Sequence, residues 1–318
     1  MSVEPQPSPS PESQSRLAYL LLVITFLIWS NSFVAARYLV GDDVPAAERL
    51  GPYQFVLARF APVGLFCLLY FLISPSARRE GRRLLREQPF LVIVLGLLNV
   101  WIYNLAFGEG QHLVAAGTAS LIIALSPIFT FVLAVAIGQE KATLGRAAGL
   151  LLALCGIYIV VVYGAGRAVE GSYLKGAAIL ALAPLSWAFY TVFSKPLFGR
   201  YPPIPFTFAV LGLVSVPAIP LALFDAGLRG QLAAWGPQRW FADLFLAIAC
   251  TLVGYWLWSE ALKRLPASKT AAFIFLNPPL AIFFEWLWLG RRPQPGLLAG
   301  GLVVLSGIYL CLRPSRTT

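Results

Sequence analysis

Apolar residues in this chain come in long unbroken blocks, with polar residues confined to short links between them. Ten blocks approach the roughly 20 residues that a helix needs to cross a bilayer: 17–38, 52–74, 89–110, 113–138, 144–163, 173–198, 204–224, 240–263, 267–290 and 295–313. The links are short except Gly41–Gly51, Pro75–Gln88 and Asp225–Arg239. Residues 1–16 are rich in proline and serine and predict a disordered tail, matched by a short tail at 314–318. No basic stretch precedes Leu17, and the apolar run that follows is too long for a signal peptide. The pattern predicts an all-α polytopic membrane protein with ten transmembrane helices.

The blocks also repeat. Shifting the numbering by 151 aligns Ala116–Val162 with Ala267–Arg313 without a gap, with twelve identical positions. Among them are Pro127 with Pro278, Gly149 with Gly300, and Gly156-Ile157-Tyr158 with Gly307-Ile308-Tyr309. A period of this length marks a duplicated unit, here residues 17–165 and 170–313 with five spans each. Because five is odd, the second unit must enter the membrane from the opposite side. Two inverted five-helix repeats, related by an axis in the membrane plane, are the expected architecture.

Charge sets the orientation. With the N-terminus in the cytoplasm, fifteen of the 24 lysines and arginines fall on the cytoplasmic side and eight outside, Arg59 being within span 2. Excess Lys and Arg stay inside, so both termini are expected in the cytoplasm.

Composition closes off other classes. Hydrophobic residues are 58% of the chain and charged residues 12%, about half the share usual for soluble domains. The net charge of +10 therefore reads as membrane topology, with no nucleic-acid partner. Cys67, Cys155, Cys250 and Cys311 lie in apolar runs without metal-ligand spacing, and His112 is the sole histidine, so no metal or other cofactor is called for.

Span 4 reads TASLIIALSPIFTFVLAVAIGQE and span 9 reads KTAAFIFLNPPLAIFFEWLWLGR. Together with WSNSF in span 1, ARF in span 2 and a glycine-rich fifth helix, they resemble the EamA-type drug/metabolite transporter superfamily. Within it the chain is most similar to the YddG-type amino-acid exporters. The resemblance implies a multi-pass protein of the bacterial inner (cytoplasmic) membrane. It also implies that Tyr103, Asn104, Ser126 and Trp187 line a substrate pocket. Where the family commonly has a Gly-Glu pair, this chain has Gln139-Glu140 and Gly290-Arg291, so no coupled role follows for that pair.

Transporter sites lie near the midplane, where helices are interrupted and side chains turn polar. At 100° per residue, Ser186, Trp187, Tyr190, Thr191 and Ser194 share an arc of about 140° on span 6, with Leu185, Phe189 and Val192 opposite. Asn99, Tyr103, Asn104 and Phe107 share a face of span 3, with Trp101 at its margin, and Thr251, Gly254, Tyr255, Trp258 and Ser259 share one on span 8. Such faces serve either a cavity or hydrogen bonds between helices. Pro127 and Pro278 follow the polar residues Ser126 and Asn277 in mid-span. Each proline withholds an N–H from a carbonyl, which either receives substrate or is satisfied by a neighbouring helix.

Charge within the spans is scarce. Arg59 is expected to pair with an acid such as Glu109 or Glu285, or to bind a substrate carboxylate. Glu109, His112 and Glu260 fall at span ends, so no proton relay or coupling ion is evident. Spans 5 and 10 carry Gly145-x-x-x-Gly149 and Gly296-x-x-x-Gly300, faces that allow close helix packing at one edge. Whether they also pair two protomers is open. The leading function is export of amino acids or similar small zwitterionic metabolites by alternating access. Its alternative is a multidrug or hydrophobic-metabolite exporter. Anionic sugar phosphates need more intramembrane cations than Arg59, and an intramembrane enzyme needs a catalytic constellation that is missing.

Overall fold

The computed structural model describes residues 11–41, 43–138, 144–163, 171–265 and 267–312. Within them the chain is helical throughout. It opens with α1 (Pro11–Val40), α2 (Pro52–Ile73) and the surface helix α3 (Pro75–Glu87). The third span joins α4 (Pro89–Gly96), a wide π turn at Leu97–Ile102 and α5 (Tyr103–Leu113). The fourth is α6 (Ala116–Ile123) plus α7 (Ser126–Ala136), and α8 (Leu144–Tyr163) follows. Next come α9 (Gly171–Leu180) and α10 (Leu182–Ser194), a 3-10 turn at Lys195–Gly199, then α11 (Pro203–Ser215), α12 (Ala218–Phe224) and the surface helix α13 (Ala226–Ala234). The eighth span joins α14 (Pro237–Leu244), a π turn at Phe245–Val253 and α15 (Gly254–Arg264). Last are α16 (Ala267–Ala272), a 3-10 turn at Phe273–Leu276, α17 (Asn277–Leu289) and α18 (Pro295–Leu312).

Seven stretches are long and apolar enough to cross a membrane, which makes this a polytopic membrane protein. Leu151–Val160, Phe273–Leu289 and Pro295–Gly307 are apolar but shorter. The structure departs from the sequence reading at several edges. Helix α1 begins at Pro11, inside the tail expected to be disordered, where proline fits the first helical turn. Two links contain helices, α3 and α13. Each has a side-chain N-cap, Ser74 accepting from Ala77 N and Asp225 accepting from Leu228 N. The turn Gln139-Glu140-Lys141 lies outside the described residues.

Breaks fall where proline withholds its N–H. Pro127 sits in the first turn of α7 and Pro278 in that of α17, so spans 4 and 9 are each two half-helices. They pack crosswise: α6 lies against α17 and α7 against α16, an antiparallel arrangement. Helices α8 and α18 pair the same way. A Cβ on Gly307 would stand 2.6 Å from the Gly149 carbonyl oxygen, and one on Gly296 would stand 2.2 Å from that of Tyr163. Of the glycines considered for pairing protomers, Gly149, Gly296 and Gly300 thus meet the facing helix within one chain, while Gly145 is exposed with no atom within 4 Å of its Cβ position.

The remaining spans surround the centre, with α1 between α15 and α17, and α10 against α7 and the third span. Cations close two helix ends, where carbonyls lack partners. Arg37 Nη1 donates to the carbonyls of Gln111, His112 and Val114 beyond α5, and Lys195 Nζ to those of Leu262 and Leu265 beyond α15.

Candidate functional site

The two π turns prepare the centre. Widening a helix shifts the side chains beyond it and leaves carbonyls for other donors. Asn104, five residues after Asn99, comes to lie over it and donates Nδ2 to the carbonyls of Asn99 (3.0 Å) and Val100 (2.9 Å). In the other π turn Thr251 Oγ1 donates to the Leu246 carbonyl, again five residues back, at 2.8 Å. Trp29 Nε1 donates to the Cys250 carbonyl at 2.8 Å. Gly254 makes that bond possible, since a Cβ there would stand 2.2 Å from Trp29 Nε1.

Arg59 joins the two turns. Its Nε donates to Thr251 Oγ1 and its Nη1 to Asn104 Oδ1, both at 3.0 Å. The expected partners Glu109 and Glu285 are not used, and among the described residues no carboxylate lies within 4.0 Å of the guanidinium. Glu285 instead accepts from Gly117 N at 2.8 Å, where the carboxylate meets the positive end of α6. Arg59 therefore keeps Nη2 uncommitted, and the residue lines a central cavity of about 40 Å³. Around it stand Trp29, Tyr103, Trp187, Tyr255 and Asn277. Ile123 and Ile274 also line the cavity. These residues stand four before Pro127 and Pro278, so theirs are the carbonyls that the prolines leave without the usual donor.

The predicted residues separate into three groups. Tyr103, Trp187, Tyr255 and Asn277 face the cavity, Asn277 Oδ1 accepting from Ser30 Oγ at 3.0 Å. Asn99, Asn104, Tyr190 and Trp258 form the layer behind. Tyr255 Oη donates to Asn99 Oδ1 at 3.1 Å, and the Trp258 ring lies 5.3 Å from that of Trp187. The indole N–H groups of Trp187 and Trp258 and the Tyr190 hydroxyl are buried without a hydrogen-bond partner in the described structure. Ser126 and Trp101 stand apart. Ser126 Oγ donates to the Pro184 carbonyl at 3.3 Å, tying α7 to α10, and Trp101 Nε1 donates to the Val214 carbonyl at 3.1 Å. Trp101 is turned away because its face was assigned at 100° per residue, a spacing that the π turn does not keep.

The sequence pattern of the EamA-like transporter family matches residues 16–162 and again residues 174–313. The chain belongs to the EamA-like transporter family. It is 28% identical over 300 residues to an uncharacterized transporter of Archaeoglobus fulgidus, covering 93% of this chain and 98% of that one. It is 27% identical over 294 residues to a probable terminal-alkyne amino-acid exporter of Streptantibioticus cattleyicolor, covering 92% of each. A probable amino-acid metabolite efflux pump of Salmonella typhimurium is 22% identical over 305 residues, covering 91% of this chain and 93% of the relative. A protein of known crystal structure shares the fold, with a TM-score of 0.64 at 18% identity over 92% of this chain and 95% of that one.

Within this EamA-like frame, five residues that line the cavity, Trp29, Ser32, Phe33, Ile123 and Ile274, were not singled out as site residues. Trp29, Ser32 and Phe33 line the cavity from α1, and the polar interruption WSNS in an otherwise apolar span was their signal. Asp243 is buried at 2%, and Oδ1 has no hydrogen-bond donor among the described residues. It was not singled out from the sequence. Span 6 is also more enclosed than its two-sided pattern implied. Val192, on the arc opposite the polar face, is 1% exposed, whereas Leu185 reaches the surface at 38%.

Proposed function

We propose that this chain exports amino acids or similar small zwitterionic metabolites across the cytoplasmic membrane of a bacterial cell, with both termini inside. It would work by alternating access between two inverted five-helix halves, residues 17–165 and 170–313. The observation that carries the substrate class is Arg59, a cation with an uncommitted Nη2 beside a cavity. A guanidinium held by the neutral oxygens of Asn104 and Thr251 keeps its charge for a carboxylate. The Ile123 and Ile274 carbonyls and Asn277 offer acceptors for an ammonium, and the rings of Trp29, Trp187 and Tyr103 offer surface for a side chain.

Antiparallel packing of α8 on α18, and of α6–α7 on α16–α17, supports the inverted design, because equivalent helices of inverted halves run in opposite directions. At about 40 Å³ the cavity holds roughly three waters at ~10–15 Å³ each. An amino acid enters only when the helices part, as alternating access requires. Two relatives bear names of amino-acid or amino-acid-metabolite exporters, in line with this reading.

Export of lipophilic compounds is the second reading, favoured by the same ring cluster. Arg59 counts against lipophilic cations. The deciding experiment is a flux screen in proteoliposomes over the twenty amino acids, with a lipophilic cation in parallel. Uptake of one or more amino acids that is lost in Arg59→Ala supports the proposal. Flux of the cation alone refutes it.

A further inference from the structure

A second cavity, of about 400 Å³, lies between α2, α3 and the junction of α11 with α12. It shares no residue with the central one. Its walls are apolar: Leu68 and Phe71 from α2, Leu85 from α3, and Leu213 and Val216 from span 7. Leu68, Leu85 and Leu213 are all among the exposed residues, so the groove opens toward lipid rather than toward the protein interior. Two glycines set its floor. A Cβ on Gly212 would stand 2.9 Å from the Cys67 Cβ, and one on Gly81 would stand 2.9 Å from the Phe71 ring. Without those side chains α11 and α3 close onto α2 at the base, while the leucines stand apart above it.

One end of the groove is charged. Arg78 and Arg82 both line it, and four residues apart on α3 they share a face, about 5–6 Å from each other. Both are exposed, and neither side chain makes a hydrogen bond or an ion pair among the described residues. Arg83, on the same helix, is engaged in contrast. Its Nε meets Glu87 Oε1 at 2.9 Å, its Nη1 meets Glu80 Oε2 at 3.9 Å, and its guanidinium stacks 5.3 Å from the Tyr201 ring. Glu87 is thus committed to Arg83 and Tyr201, Glu80 lies nearest Arg83, and the side chains of Arg78 and Arg82 stand as a bare cation pair at the mouth of an apolar slot. Helix α3 itself is amphipathic, burying Ala77, Gly81 and Leu84 against the protein, in the manner of a helix lying in the membrane interface.

Shape and charge together specify one kind of occupant. A slot walled by leucine and phenylalanine and open to the bilayer suits an acyl chain. Two guanidiniums at the interface suit a phosphodiester, which accepts parallel N–H···O bonds. We propose that this groove binds one anionic glycerophospholipid, with an acyl chain along Phe71 and Leu213 and the phosphate between Arg78 and Arg82. A zwitterionic headgroup brings its own ammonium to the same pair and is disfavoured. The site has a consequence for transport, because α2 also carries Arg59 into the central cavity. A lipid seated against Leu68 and Phe71 touches the helix that positions the proposed carboxylate-binding group.

Native mass spectrometry of the intact protein in detergent tests this, with equal amounts of dioleoyl phosphatidylglycerol and dioleoyl phosphatidylcholine added. Wild type is expected to retain phosphatidylglycerol as its first lipid with a preference of about thirtyfold, the scale of two interfacial arginines at ~1 kcal/mol each. The pair Arg78→Gln/Arg82→Gln should lose most of that preference. Arg79→Gln/Arg86→Gln removes equal charge from α3 off the groove and should keep it. Leu213→Trp fills the slot from an exposed position and should lower retention with both arginines intact. The proposal is overturned if Arg78→Gln/Arg82→Gln keeps the preference, if the control pair loses it equally, or if Leu213→Trp retains lipid as wild type does.

Discussion

Gly156 and Gly300 face each other so closely that a Cβ on either would stand 2.9 Å from the carbonyl oxygen of the other. The contact has its counterpart in Gly307 against Gly149, the repeat equivalents of Gly156 and Gly300, as expected of two equivalent helices packed antiparallel. Overpacking a close contact costs about 1–3 kcal/mol. Gly156→Leu and Gly300→Leu should therefore each lower the thermal midpoint in detergent by several degrees. Gly145→Leu should leave it unchanged, since no atom lies within 4 Å of a Cβ placed there.

Arg59 is the residue on which transport should depend most. Losing a charged hydrogen bond weakens binding by about 1.5–3 kcal/mol, or roughly ten- to a hundredfold. Arg59→Ala is expected to raise KM by that factor for an amino acid but hardly for its amide. Flux assays with matched acid and amide pairs check this. An equal loss for both would mean that Arg59 holds helices rather than substrate.

Asp243 is buried near the start of span 8 and does not pair with Arg59. Asp243→Asn keeps the side chain's shape and removes only its capacity to ionise, so the variant should fold as wild type does. The burial of Asp243 also bears on coupling, because no proton relay was evident while Glu109, His112 and Glu260, all at span ends, were the titratable groups considered. Counterflow with equal pH on both sides is expected to proceed in both proteins. Flux that appears only under a pH gradient, and loses that requirement in Asp243→Asn, would make Asp243 a proton carrier.

Trp187 lies at the centre of the ring cluster, 5.2 Å from Trp29, 5.4 Å from Tyr255 and 6.0 Å from Tyr103 between centroids. Trp187→Ala and Tyr103→Phe should each cut substrate flux at least about fivefold, the loss of one binding contact of ~1 kcal/mol. Leu185→Ala, on the exposed arc of the same span, should transport normally. Size-exclusion profiles in detergent separate a lost site from a lost fold.

Topology is tested with single cysteines at Arg82 and Gly230 in a background lacking Cys67, Cys155, Cys250 and Cys311. With both termini inside, an impermeant thiol reagent should label position 230 and spare position 82 in intact cells. The reverse pattern rejects the orientation.

By itself the sequence determined that this chain lives in a membrane, that it is duplicated, and that spans 4 and 9 are broken at proline. Runs of apolar residues, a period of 151 and mid-span prolines are linear signals, and each has one physical meaning. Tyr103, Trp187, Tyr255 and Asn277 were legible as well, because polar and aromatic groups in an apolar span need protein or water beside them. What only the tertiary structure decided was how helices meet. The π turns moved Trp101 out of the predicted face and stacked Asn104 over Asn99, a change of phase that no regular helical period contains. Arg59 found Thr251, 192 residues away, in place of an acid, and Glu285 went to the N-terminus of α6. A buried charge takes whichever partner the packing brings within reach, and that proximity is created by folding rather than carried along the chain.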